Sequence, residues 1–196
     1  MRIFQLFGMY GLGVIALFLL SSVVQAAPKR VALLIGNKGY QTSPLLNPHN
    51  DVGLLKSKLE VSGFLVQTLY DGTHKQMGHA LHRFAEEAQG AEAAFFYFSG
   101  HGNQARGQNY LLPVDIRRAD ERTIKYHALS LGEVIASLQE VENPNRVNMI
   151  VVDACRSQLK IRRSSRSRPT GLAVPAGVGA GTLIAFATAP HTVALD

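Results

Sequence analysis

Cysteine is almost absent from this chain: Cys155 stands alone among 196 residues. A lone thiol forms no internal disulfide, which excludes a disulfide-stapled fold and leaves the residue to packing or to chemistry. Ligand clusters are also missing. His79 and His82 form an i, i+3 pair opposite an apolar helical stripe, and with one cysteine they do not close a zinc site. Asp115 and Asp120 could lend oxygens to calcium, but they belong to no dense acidic cluster, and calcium wants roughly 6 to 8 oxygen ligands. The glycines Gly177, Gly179 and Gly181 precede an apolar strand instead of following one, so they lack the setting of a dinucleotide or phosphate loop. An arginine six positions after the cysteine, as a cysteine phosphatase needs, is absent too; that position is Ile161.

Net positive charge is confined to one place. The formal net charge is +6, and Arg156, Lys160, Arg162, Arg163, Arg166 and Arg168 form a segment with no acid in it. Outside that segment the chain from residue 27 onward is near neutral, which argues against the broad basic face of a nucleic-acid binder. The N-terminus carries one charge, Arg2, followed by an uncharged stretch from Ile3 to Val24 and then Val24-Gln25-Ala26, with small residues where signal peptidase requires them. Residues 1 to 26 read as a signal peptide of an exported protein. The alternative is a membrane anchor over residues 3 to 24, because roughly 20 apolar residues span a bilayer. The remainder, residues 27 to 196, is enough for one domain with a hydrophobic core, and it shows no internal repeat.

Hydrophobic periodicity predicts strands at Arg30 to Ile35, Phe64 to Tyr70, Ala93 to Phe98, Val147 to Val152 and Leu183 to Thr188. Between them the pattern predicts a helix over Asp51 to Ser62 with Val52, Leu55 and Leu59 on one face. A second helix carries Met77, Leu81, Phe84 and Ala88, and a short third covers Ser130 to Gln139. Asn103 to Pro113 reads as a hairpin or glycine-containing excursion. The continuously apolar strands and the alternation with helices imply an α/β fold with a mostly parallel sheet and helices on both faces.

In such sheets reactive groups gather beyond the carboxyl ends of the strands. His101 follows Phe98 by three residues, and Cys155 follows Val152 by three. If those strands are neighbours, about 4.8 Å apart, imidazole and thiol come within reach of one another. A thiol paired with an imidazole can yield a thiolate that attacks a carbonyl carbon, after which the histidine protonates the leaving amine. The backbone amides of Gly102 and Cys155 are the natural donors to the oxyanion. No third member of a triad is visible, and a backbone carbonyl could orient His101.

Phe96-Tyr97-Phe98-Ser99-Gly100-His101-Gly102 with Asp153-Ala154-Cys155-Arg156 resembles the caspase-like cysteine peptidases, peptidase family C14, on the bacterial metacaspase-like branch. Asn47-Pro48-His49-Asn50-Asp51 and Ala187-Thr188-Ala189-Pro190 are similar to the same branch, and the resemblance covers about residues 29 to 196. It implies a caspase-like three-layer sandwich and a Cys155–His101 endopeptidase that needs no cofactor, although metacaspases often respond to calcium. Asp153 stands where caspases carry glutamine. The resemblance therefore implies an acidic S1 pocket of Asp51, Asp153 and the Ser99 hydroxyl, and peptide or protein substrates with arginine or lysine at P1. With that specificity, Arg162, Arg163, Arg166 and Arg168 become candidate self-cleavage positions. Family members usually continue past the Ala-Thr-Ala-Pro strand, whereas this sequence stops at Asp196. The alternative expectation is accordingly a weak or inactive caspase-like module that binds or regulates.

Overall fold

The computed structural model describes residues 29–118, 120–139, 145–156, 172–173, 175 and 178–187. The expected leader and the arginines at 162, 163, 166 and 168 lie outside these residues. Strand β1 (Arg30–Gly36) leads to α1 (Pro48–Val61), β2 (Leu65–Tyr70), α2 (His74–Glu87) and β3 (Ala93–Ala105). There follow β4 (Gln108–Leu111), α3 (Glu121–His127), β5 (Leu129–Ser130), α4 (Leu131–Gln139), β6 (Val147–Arg156) and β7 (Thr182–Phe186). The seven strands form one sheet. β1 pairs with β2 and β3, β3 with β6, and β6 with β7, all parallel, while β4 runs antiparallel to β3 and β5 to β4.

Strand β1 and the first half of β3 are apolar on both sides because helices cover both faces. On one face Ala32, Leu34 and Tyr97 pack with Val52, Leu55 and Leu59 of α1. On the other, Leu33, Ile35, Phe96, Phe98, Ile150 and Val152 meet Met77, Leu81 and Phe84 of α2 and Val134 and Leu138 of α4. The predicted apolar stripe of α2 is therefore core. That helix starts at a capping box in which Thr73 and Gln76 satisfy each other's amides. Among the described residues no helix is long and apolar enough to cross a membrane.

Two elements are longer than the sequence pattern predicts. β3 runs on from Phe98 through the Ser-Gly-His-Gly segment to Ala105, and β6 runs on from Val152 to Arg156. These polar extensions hold as strand because they pair with each other and because β4 folds back on β3, with Gly102 opposite Leu111 and Asn103 opposite Tyr110. The hairpin turns at Arg106 and Gly107, both at positive φ (50° and 79°), the conformation of a tight hairpin turn. His101 and Cys155 thus lie inside the ladder and not beyond the strand ends as expected. Helix α1 likewise begins at Pro48 and not at Asp51, since proline is well accommodated in a first turn.

Candidate active site

Alternation along β3 sends Tyr97, Ser99 and His101 to the face covered by α1. The parallel register between β3 and β6 pairs Tyr97 with Val151, Ser99 with Asp153, and His101 with Cys155. Asp153 therefore shares that face with Ser99 and His101, and Cys155 is the register partner of His101. The glycines between the odd-numbered residues have a spatial reason. A Cβ at Gly100 would stand 2.7 Å from the Tyr40 hydroxyl, and one at Gly102 would stand 3.0 Å from the Ala154 Cβ.

The segment that follows β1 seats the His101 ring, while the Leu112 amide donates to the His101 carbonyl. His101 is 4% exposed. Its Nε2 lies 2.7 Å from the Ser43 carbonyl oxygen. A carbonyl only accepts, so Nε2 carries the proton and, in the neutral ring, Nδ1 keeps the lone pair. The ring packs on Tyr40 with centroids 4.4 Å apart and planes tilted by 46°. The Tyr40 hydroxyl accepts the His101 backbone N–H at 2.9 Å and donates to the Leu112 carbonyl at 2.9 Å. Burial holds the Tyr40 phenol protonated far above its ordinary range, so it serves this bridge as a neutral donor.

Beside this seat lies an acidic group. Ser99 Oγ donates to Asp51 Oδ2 at 3.3 Å, bringing the first turn of α1 to the strand. The Tyr97 hydroxyl contacts Ser99 and Asp153, and burial together with the negative charge of Asp153 and Asp51 pushes its pKa up to about 12. Tyr97, Ser99, Asp51 and Asp153 thus form one polar patch centred on the Ser99–Asp153 rung, two residues upstream of the His101–Cys155 rung. A cationic side chain there would meet two carboxylates and two hydroxyls.

A buried histidine oriented by a carbonyl, on the same rung as a cysteine in a mostly parallel sheet, is the frame of a known peptidase fold. The family model for the caspase domain of peptidase C14 matches residues 29–196. The chain belongs to the caspase-domain family. It is 31% identical over 133 residues to the human mucosa-associated lymphoid tissue lymphoma translocation protein 1, covering 67% of this chain and 16% of that protein. The mouse homologue of that protein matches equally, at 31% over 133 residues and 15% of its length. The chain therefore spans about a sixth of the curated relatives it matches.

The caspase domain brings Asp51, Ser99, His101, Gly102, Asp153 and Cys155 to one end of the sheet. Asp115 and Asp120 lie elsewhere and serve helix ends: Asp115 accepts from the His74 N–H, and Asp120 caps α3 through Thr123. Among the described residues no three His, Cys, Asp or Glu side chains gather as a metal site. Sequence reading missed Tyr40, Ser43 and Tyr97. Tyr97 had a signal, since it lies two residues before Ser99 and so on the same face; Tyr40 and Ser43 had none, because a contact across about sixty positions leaves no local pattern.

Proposed function

We propose that this caspase domain is a cysteine endopeptidase that hydrolyses peptide bonds after arginine or lysine, with Cys155 as nucleophile and His101 as general base and acid. The observation that carries the reading is the shared rung of His101 and Cys155, with the His101 Nε2–H held by the Ser43 carbonyl. That hydrogen bond leaves Nδ1 to take the thiol proton. The thiolate then adds to the scissile carbonyl carbon, and the oxyanion is received by the amides of Gly102 and Cys155. His101 returns the proton to the leaving amine as the C–N bond breaks. Water then attacks the thioester, giving its proton to His101, and the acid product leaves with Cys155 as thiolate.

Basic specificity follows from the patch of Asp51, Asp153, Ser99 and Tyr97, which would pair an arginine fork or a lysine ammonium and satisfy its remaining donors. None of these steps calls for a cofactor. The uncharged stretch from Ile3 to Val24 supports export, with or without retention of a membrane anchor. The deciding experiment is hydrolysis of fluorogenic peptides with Arg, Lys or Asp at P1 by the chain beside Cys155→Ala, with and without calcium. Cysteine-dependent turnover of the basic substrates is expected. A folded protein silent on all of them would sink the reading and favour a binding module.

A further inference from the structure

The loop that seats His101 is itself held from outside the site. Asp71, at the end of β2, is in the left-handed region at φ 49°, a conformation that aspartate tolerates and most side chains do not. Its Oδ1 accepts two consecutive backbone amides, Lys38 and Gly39, each at 2.8 Å. Its Oδ2 lies 3.1 Å from His49 Nε2 in α1. Gly39 lets the carboxyl approach this closely, since a Cβ there would stand 3.2 Å from the Asp71 carboxyl carbon. The Lys38 carbonyl in turn accepts the amides of Tyr40 and Leu45, closing the loop into a compact turn. That turn delivers the Tyr40 hydroxyl to the His101 backbone and the Ser43 carbonyl to the His101 ring.

We propose that Asp71 is a positioning residue for the hydrolysis: its Oδ1 clamps the turn at Lys38 and Gly39, and through Tyr40 and Ser43 that turn fixes the orientation and tautomer of His101. This inference rests on the Cys155–His101 reading. The negative charge is secondary to the paired acceptor. Burial raises the Asp71 carboxyl, but the Gly39 and Lys38 amides and the His49 charge outweigh that and hold it below its ordinary value, so it remains a carboxylate acceptor. Asp71→Asn keeps an Oδ1 acceptor in an αL-tolerant residue. Asp71→Gly relieves the backbone conformation and removes the acceptor.

The test compares these two variants with the wild-type chain on a P1-arginine peptide, recording kcat, KM, the pH profile of kcat/KM and thermal melting. Asp71→Gly should lower kcat about 10- to 100-fold with KM within about twofold, the size expected when a catalytic group is displaced by an ångström or less. Its pH profile should shift on the limb that reports the base. Asp71→Asn should recover most of the rate. Gly39→Val, which pushes the same contact apart from the other side, carries the same direction if Asp71→Gly does not fold. Wild-type turnover with Asp71→Gly, or Gly39→Val in its place, at the wild-type kcat overturns the clamp alone. Equal losses in Asp71→Gly and Asp71→Asn overturn it as well. A wild-type chain with no cysteine-dependent turnover removes the peptidase reading, and the clamp with it.

Discussion

His101 and Cys155 are register partners on adjacent parallel strands, one rung beyond the pair formed by Gly100 and Ala154. Because the side-chain period of a strand is two, His101 shares its face with Ser99 and Tyr97, whose register partners are Asp153 and Val151. The backbone positions of the proposed nucleophile and base and of Ser99 and Asp153 are therefore set by one register.

The first prediction concerns that rung. Cys155→Ala and His101→Ala should each lower kcat/KM on a P1-arginine peptide by about a thousandfold or more, and the double variant should be no worse than either alone. Groups acting as one unit lose their effect once. Additive losses measured on the same substrate would show that the two residues act independently, and would remove the dyad.

The acidic patch makes a separate prediction. Asp51→Asn or Asp153→Asn removes one carboxylate from the group that would meet a guanidinium, a charge-assisted contact of about 1.5–3 kcal/mol. Each should therefore reduce kcat/KM for arginine peptides about 10- to 100-fold, mainly through KM, and change a neutral P1 peptide little. Tyr97→Phe removes only a neutral hydroxyl and should cost a few-fold. Preferential cleavage after aspartate would contradict the pocket outright.

Self-processing is decided by two chains run side by side. If the basic segment is a substrate of its own domain, replacing Arg162, Arg163, Arg166 and Arg168 with alanine should abolish cleavage there, as should Cys155→Ala. Fragments read by mass spectrometry would show it. Cleavage that persists in Cys155→Ala is the work of another protease.

Much of this arrangement is legible in the residues themselves, and the illegible part has a common cause. The run Ala93 to Phe98 announces a strand buried on both faces, and the stripe of Met77, Leu81 and Phe84 announces the helix that covers it. The extension of β3 through His101 to Ala105 is not announced, because Ser99, His101, Asn103 and Gln104 carry no apolar pattern and their pairing partners lie on β4 and β6. Helix α3 escaped notice for a similar reason: it is seven residues long and buries only Ile124. Asp71 reads locally as turn punctuation before Gly72. Only the folded chain shows its carboxylate on amides more than thirty positions away.

Arg146 makes a stability prediction of the same nonlocal kind. It is 3% exposed and donates to Asn148 Oδ1 at 2.8 Å, to the Ala88 carbonyl at 3.1 Å and to the Leu138 carbonyl. One guanidinium thus ties the C-terminal ends of α2 and α4 together, adding to the Ala91 amide already on the Ala88 carbonyl. Burial lowers its pKa from the usual arginine value, yet leaves it a cation. Arg146→Met should destabilise the fold by about 2–4 kcal/mol, since buried acceptors lose their donor. Lysine, a point donor, should not restore it. Thermal melting at neutral pH measures both, and a melting temperature within a degree of wild type for Arg146→Met would refute the account.

The pH dependence of the Asp71 clamp follows from its sign. The folded chain holds this carboxyl below its ordinary value of 3.8, so the unfolded chain takes up a proton there first as pH falls. The stabilisation is therefore complete above about pH 5, declines below 3.8, and is gone once pH has passed the folded value. The melting-temperature difference between wild type and Asp71→Gly should hold its full size at pH 5 and should change in favour of the variant in more acidic buffer. A difference that instead grows steadily toward acid would mean that protonated Asp71 is the form the fold prefers. The two amides at Lys38 and Gly39 would then not be held by a carboxylate.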